Sequence, residues 1–176
     1  MTTLCTALPE QLRLLLVDDH RIFLDGLSLA LAPLCPDLHI HTAQNADEAE
    51  ACLRQHDFDL ILLDLRLPDV PGLELLQRWQ RQGRMTPVAI LSASDSNLDA
   101  QAAMAAGALG FIPKSADGDD LRQAVTRVLL GETLQAPVSG DKPPLTPRQQ
   151  EILLLLADGL PNKAICRRPA AAEFPA

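Results

Sequence analysis

Between residues 12 and 131, short apolar runs alternate with longer stretches in which apolar residues recur at helical spacing. The runs 12–17, 58–63, 88–91 and 109–112 are dominated by Leu, Ile, Val, Phe and Ala. Strands buried on both faces of a parallel sheet read this way, whereas a sheet with one wet face alternates. Residues 38–43 do alternate at Leu38-His39-Ile40-His41, which assigns that strand to a sheet edge. Helix ends are legible between the strands: Asn45 can cap a helix with Glu48 at its third position, and Asp117 can cap another with Asp120. Gly131 stands where a left-handed C-terminal residue belongs. Five strand–helix repeats predict a doubly wound α/β sheet.

The periodicity stops over 132–144, where Pro137, Gly140, Pro143 and Pro144 mark a linker. A new helix starts near Thr146, with Pro147 in its first turn and Gln149 able to reach back to the cap. A second short helix covers 162–168 before Pro169, and residues 169–176 show no period. The expected organisation is an N-terminal tail (1–11), an α/β domain (12–131), a linker (132–144), a helical remnant (145–168) and an unstructured tail (169–176).

Composition narrows the class. A chain of 176 residues with 47% hydrophobic and 22% charged residues has enough apolar mass for a core. No apolar run approaches the roughly 18 residues a spanning helix needs, and no basic leader with an apolar run follows Met1, so a cytoplasmic location without membrane association is expected. Cys5, Cys35, Cys52 and Cys166 form no Cys-x-x-Cys pair and read as free thiols. The net charge of −8 resides in an acidic body, and the residues after 141 carry a slight positive excess.

In a doubly wound sheet, ligands bind at the carboxyl ends of the strands. Those ends carry Asp18 and Asp19 after the first strand, Asp64 after the third, Ser92 after the fourth and Lys114 after the fifth. Each Asp alone reads as a solvated turn residue. Together they repel, by about 4 kcal/mol per pair at 4 Å and an effective dielectric near 20, and call for a cation. Oxygen donors in a small site suit Mg²⁺, with Mn²⁺ as a substitute. A carboxylate, a hard cation, a hydroxyl and a lysine together serve phosphoryl transfer onto the carboxylate. Neither Gly-x-Gly-x-x-Gly nor Gly-x4-Gly-Lys-[Ser/Thr] occurs, so the phosphoryl donor is expected to be bound elsewhere.

Val17-Asp18-Asp19-His20, Leu62-Leu63-Asp64-Leu65-Arg66-Leu67-Pro68, Gly72, Leu91-Ser92-Ala93, Ala106-Gly107-Ala108 and Gly110-Phe111-Ile112-Pro113-Lys114 resemble the receiver domain of bacterial two-component response regulators. The resemblance implies a flavodoxin-like five-stranded sheet of order 2-1-3-4-5. It implies Asp64 as phosphoacceptor, Asp19 and Asp64 as direct Mg²⁺ ligands, Asp18 as a ligand through water, and the Arg66 backbone carbonyl as a further oxygen. It gives Lys114 to the phosphate, and Ser92 and Phe111 to a conformational switch. It also implies a sensor histidine kinase as partner, self-catalysed phosphorylation and dephosphorylation, and homodimers on phosphorylation. Two positions depart from the pattern: Phe111, often Tyr, lacks a hydroxyl, and Pro71 before Gly72 stiffens the loop after Asp64.

Residues 145–153 and 158–165 are similar to the start of the helix-turn-helix output domain of NarL/LuxR-type (FixJ-like) regulators. This implies transcription control through promoter DNA for the full-length parent. No recognition helix follows Arg168, and Arg148, Lys163, Arg167 and Arg168 read as solvation of helix surfaces, so specific DNA binding by this chain is not expected. A natural truncation, a frameshift or an artificial junction explains such an ending, the last fitting the patternless 169–176 best. Two other roles compete: a receiver acting only as a protein-interaction module, and an aspartate-nucleophile phosphohydrolase. The latter needs Asp-x-Asp after the first strand, which Asp18-Asp19-His20 lacks. His20 reads as a solvent-facing helix-start residue, His39, His41 and His56 lack a second ligand at useful spacing, and Trp79, Leu75, Leu76 and Met104 read as core.

Overall fold

The computed structural model describes residues 8–93 and 96–134. The expectations for 1–7 and 135–176, among them most of the linker, the helical remnant, the tail and the free thiols Cys5 and Cys166, lie outside the described residues. Among the described residues five strands alternate with five α-helices: β1 (Gln11–Val17), α1 (Arg21–Leu31), β2 (Asp37–Ala43), α2 (Ala46–Gln55), β3 (Leu60–Asp64), α3 (Gly72–Arg81), β4 (Val88–Ser92), α4 (Asn97–Ala105), β5 (Gly110–Pro113) and α5 (Gly118–Leu129). All strand pairs are parallel, in the order β2-β1-β3-β4-β5. The edge assignment of β2 and the flavodoxin-like order both hold.

The continuous apolar runs reflect burial on two faces. Leu15, Val17, Ile61, Leu63, Val88 and Ile90 enter one core with α2, α3 and α4, where Leu75, Leu76 and Trp79 are also buried. Leu12, Leu14, Leu16, Leu60, Leu62, Ala89 and Leu91 enter the other, against α1 and α5. Met104 packs at the margin of the first core. Cys35 is buried and Cys52 half-buried, both as free thiols.

Local signals set the helix ends. Asn45 Oδ1 accepts from the Glu48 N–H at 2.9 Å, and Glu48 returns by accepting from the Gln44 N–H at 2.8 Å. Asp117 Oδ1 accepts from the N–H groups of Asp119 and Asp120 at 2.9 and 2.8 Å. Gly131 adopts φ +86°, the left-handed conformation foreseen at the end of α5. Beyond it, the Leu134 N–H donates to the Leu109 carbonyl at 2.7 Å and Leu134 bridges Gly110 in parallel, so chain packing continues past residue 131.

Candidate functional site

The order β2-β1-β3 reverses direction at β1, and the carboxyl ends of β1 and β3 flank that switch point. The chain leaving β1 keeps its ladder for one more residue, the Asp18 N–H donating to the Ala43 carbonyl at 3.0 Å, which fixes Asp18 with 0% exposure. Asp64 is the last residue of β3 and stands beside Leu91 of β4. Ser92 ends β4, is buried, and accepts the Lys114 N–H on its carbonyl at 2.7 Å. Pairing of Ser92 with Pro113 therefore brings Lys114 to the same rim.

Lys114 Nζ lies between two buried carboxylates. It donates to Asp64 Oδ2 at 3.0 Å and forms an ion pair with Asp18 Oδ2, an oxygen with no well-angled hydrogen bond. The ammonium also sits 4.7 Å from the centroid of the Phe23 ring, a cation–π contact from α1. Burial raises the Asp64 pKa above the usual carboxylate range, the Asp18 charge adds to the rise, and bonds from Lys114 and the Arg66 N–H offset part of it. For Lys114, burial pulls the pKa down, but the Asp18 and Asp64 carboxylates outweigh it and the ammonium is held above its ordinary value.

Asp18 turns its other oxygen the opposite way. Oδ1 accepts from the His20 N–H at 2.9 Å and lies 3.1 Å from His20 Nδ1, which also lies 2.7 Å from Asp19 Oδ1. Asp18, Asp19 and His20 thus offer three metal-ligating atoms within 4.8 Å of one another. Carboxylates in this spacing are the donors a hard divalent ion takes, and their mutual repulsion is what such an ion would relieve. The group excludes Asp64, which reaches the cluster across Lys114.

The loop after β3 is tied down at two points. The Gly72 N–H donates to the Leu65 carbonyl at 2.8 Å, and a Cβ at Gly72 would lie 2.0 Å from the Asp64 carbonyl oxygen, so only glycine lets α3 start this close to the acidic residue. Asp69 Oδ2 accepts from the Ala46 N–H at 2.8 Å and so fastens the loop to the first turn of α2. Pro71 occupies the N-cap of α3. Phe111 is buried with Ile90, Ala100 and Ala103, so its ring already lies inward. For Arg66 the contact seen is its backbone N–H on the Asp64 carboxylate.

The expected residues Asp18, Asp64, Lys114, Ser92 and Asp19 therefore share one rim. Sequence reasoning passed over three others. His20 does cap the start of α1 as a solvent-exposed residue, but its ring also bridges two acidic side chains. Phe23 was not singled out, because its contact with Lys114, 91 positions away, is tertiary. Asp69 meets Ala46 across 23 residues, and no local pattern marks it.

A model of the response regulator receiver domain matches residues 14–126. The chain belongs to the response regulator receiver family. The chain is 32% identical over 176 aligned residues to the nitrate/nitrite response regulator protein NarL of Escherichia coli K12, covering 90% of this chain and 81% of that protein. It is 34% identical over 157 residues to the transcriptional regulatory protein UhpA of the same strain, covering 85% of this chain and 78% of that protein. Among solved structures, a LuxR-family two-component response regulator from Aurantimonas sp. SI85-9A1 superposes with a TM-score of 0.66 at 29% identity, over 72% of this chain and 91% of that one. The receiver is thus that of a NarL/UhpA-type transcriptional response regulator. Among the described residues, no helix is long and apolar enough to cross a membrane.

Proposed function

We propose that this receiver accepts a phosphoryl group on Asp64 from a sensor histidine kinase and that the resulting aspartyl phosphate switches a transcription regulator. The observation that carries the reading is the convergence of two buried carboxylates, Asp18 and Asp64, on the single ammonium of Lys114. An Asp64 oxygen attacks phosphorus, the new O–P bond forms as the donor's P–N bond breaks, and the electron pair leaves with the donor imidazole. Burial that destabilises the Asp64 charge makes it a stronger base and nucleophile. Lys114, already paired to Asp64 Oδ2, transfers its ion pair to a phosphoryl oxygen, and the Ser92 hydroxyl serves a second one.

In this reading a divalent ion would take Asp19 and Asp64 as direct ligands, Asp18 through water and the Arg66 carbonyl as a further donor, with Mg²⁺ preferred and Mn²⁺ a substitute. Such an ion supplies charge neutralisation to the non-bridging oxygens. Reversal by water attack on the same phosphorus makes the chain catalyst of its own dephosphorylation.

The added phosphate brings about −2 charge and three acceptor oxygens. Drawing Ser92 toward it rearranges the rim next to the buried Phe111 ring and changes the surface of α4, β5 and α5. In this reading 12–131 is the switching domain, 132–144 the linker, and 145–168 the beginning of a helix-turn-helix output that in the full-length parent meets promoter DNA. Phosphorylation-dependent homodimers and a cytoplasmic setting complete the proposal. Incubation with acetyl phosphate and Mg²⁺ tests it: the wild-type chain gives a retarded band on a phosphate-affinity gel and Asp64→Asn does not. Equal labelling of the variant would reject Asp64 as acceptor.

A further inference from the structure

We propose that His41 and His56 form a two-nitrogen site for a borderline transition ion of the zinc class, at the outer edge of the sheet and separate from the acidic rim. The fold supplies the second ligand that spacing along the chain does not. His41 stands on β2 in register with Leu15 of β1. Leu15 enters the core shared with α2, and partners in register point to the same face of a parallel sheet, so the His41 ring lies on the α2 side. His56 is the C-cap of α2, its N–H donating to the Cys52 carbonyl at 2.9 Å. The two rings meet there, with centroids 4.6 Å apart and planes inclined at 48°. His56 precedes β3 and Asp64 closes it, so His56 and the acidic rim belong to opposite ends of that strand.

The chain has four histidines, and two of them are held by carboxylates: His20 by Asp18 and Asp19, and His39 by Asp37, which lies 3.0 Å from its Nε2. A carboxylate favours the protonated ring. His41 and His56 have no such partner among the described residues and face each other instead. Two cations this close repel, so the pair favours neutral rings, each with one lone pair to donate. Burial, and then the charges of His56, Arg13 and His39, hold the His41 pKa below its ordinary value, in agreement with this. Phe58, itself buried, meets both rings at near right angles, with centroids 5.2 and 6.2 Å away, and braces the pair.

A metal–nitrogen bond of about 2.0–2.1 Å sets each ring centre about 3.2 Å from a shared ion, and ligand angles of about 90–110° then put the two centres about 4.5–5.2 Å apart. The observed separation falls within that range, and the inclined planes are not stacked face to face. Imidazole suits zinc, copper and nickel, whereas Mg²⁺ takes oxygen, so this pair and the acidic rim select different ions. The Arg13 guanidinium opposes a cation here, but its Nη1 donates to the Asp57 carbonyl at 3.4 Å and is turned to the loop before β3. Water completes the shell. An ion so bound joins β2 to the end of α2 and stabilises the folded chain over the unfolded one, in which the two rings are apart.

The test uses the full chain with ¹⁵N in its histidine rings, millimolar Mg²⁺ throughout to fill the acidic rim, and Zn²⁺ as titrant, followed by ring-nitrogen magnetic resonance. The His41 and His56 rings should shift together. His41→Gln should raise the Zn²⁺ concentration at which His56 responds at least about tenfold, and His56→Gln should do the same for His41, since loss of even an outer-sphere partner is worth that much. His39→Gln, on the same strand, should leave both responses in place. Zn²⁺ should also raise the urea midpoint of the wild-type chain, read by Trp79 fluorescence, and not that of either single variant, whose own transitions show that they fold. Rings that respond to Zn²⁺ independently of each other, a response confined to His20 or His39, or no response at all would overturn the site.

Discussion

Replacing Lys114 by Met removes the only cation that contacts both Asp18 and Asp64 among the described residues, while keeping most of the side chain's volume. Both carboxylates stay buried, with side-chain exposures of 0% and 5%. At the 3.0 Å separation from Asp64, a pair of unit charges is worth about 5.5 kcal/mol at an effective dielectric of 20. Desolvation of the lysine, relieved in the variant, offsets part of this, and breaking a buried ion pair from one side typically costs 3–5 kcal/mol, so a loss of about 4 kcal/mol is expected. Trp79, the single tryptophan and 1% exposed, reports unfolding by its fluorescence in a urea titration. Two controls separate charge from packing. Millimolar Mg²⁺ should restore a large part of the loss, and the double variant Lys114→Met/Asp64→Asn should be more stable than Lys114→Met alone, since one uncompensated charge is gone. A loss below about 1 kcal/mol, or a double variant no better than the single one, would refute the picture of two buried carboxylates held by one ammonium.

Three further outcomes follow from the geometry. Gly72→Ala should lower stability by about 1–3 kcal/mol in the same titration, because its Cβ would meet the Asp64 carbonyl at 2.0 Å and the loop or α3 must shift. Asn45→Ala should lower it by about 1 kcal/mol through loss of the cap of α2, with Asn45→Ser largely restoring it. The His41 pKa is held below 6.5 by burial and by the charges of His56, Arg13 and His39, and its ring lies against those of His56 and Phe58. The unfolded chain therefore binds this proton more readily. The contribution is fully present above about pH 6.5 and declines as pH falls through that value toward the folded pKa, and His41→Gln should flatten the decline in urea titrations run at pH 5 to 8.

The sheet was legible because every central strand is hidden on two faces, so its apolar residues come uninterrupted. Boundaries were less so. Phe58 and Leu109 were read as strand residues, yet β3 begins at Leu60 and β5 at Gly110, since apolarity reports burial and not pairing. Asp64, Ser92 and Pro113 close strands that the apolar runs appear to end earlier, because the backbone ladder continues under polar side chains. Helix α4, with Ser96 as its cap, has an Ala-rich sequence with no pronounced apolar stripe and announces itself weakly.

At the site, the rule that strand ends gather at one rim located Asp18, Asp64, Ser92 and Lys114 without further knowledge. Which oxygen of Asp18 faces which partner depends on side-chain conformations that no spacing encodes. The same holds for the Phe23 ring under Lys114 and for Asp69 on Ala46, contacts made between elements far apart in the chain. Gly72 was legible as a motif residue, but the reason for it, the approach of the Asp64 carbonyl, is tertiary.

Tandem mass spectrometry of peptides from chain treated with acetyl phosphate and Mg²⁺ tests most directly whether Asp64 is the acceptor. A single base-labile phosphoryl adduct on Asp64, absent from untreated chain, is the expected result. An adduct on another residue, or none while Mg²⁺ is bound, would contradict it.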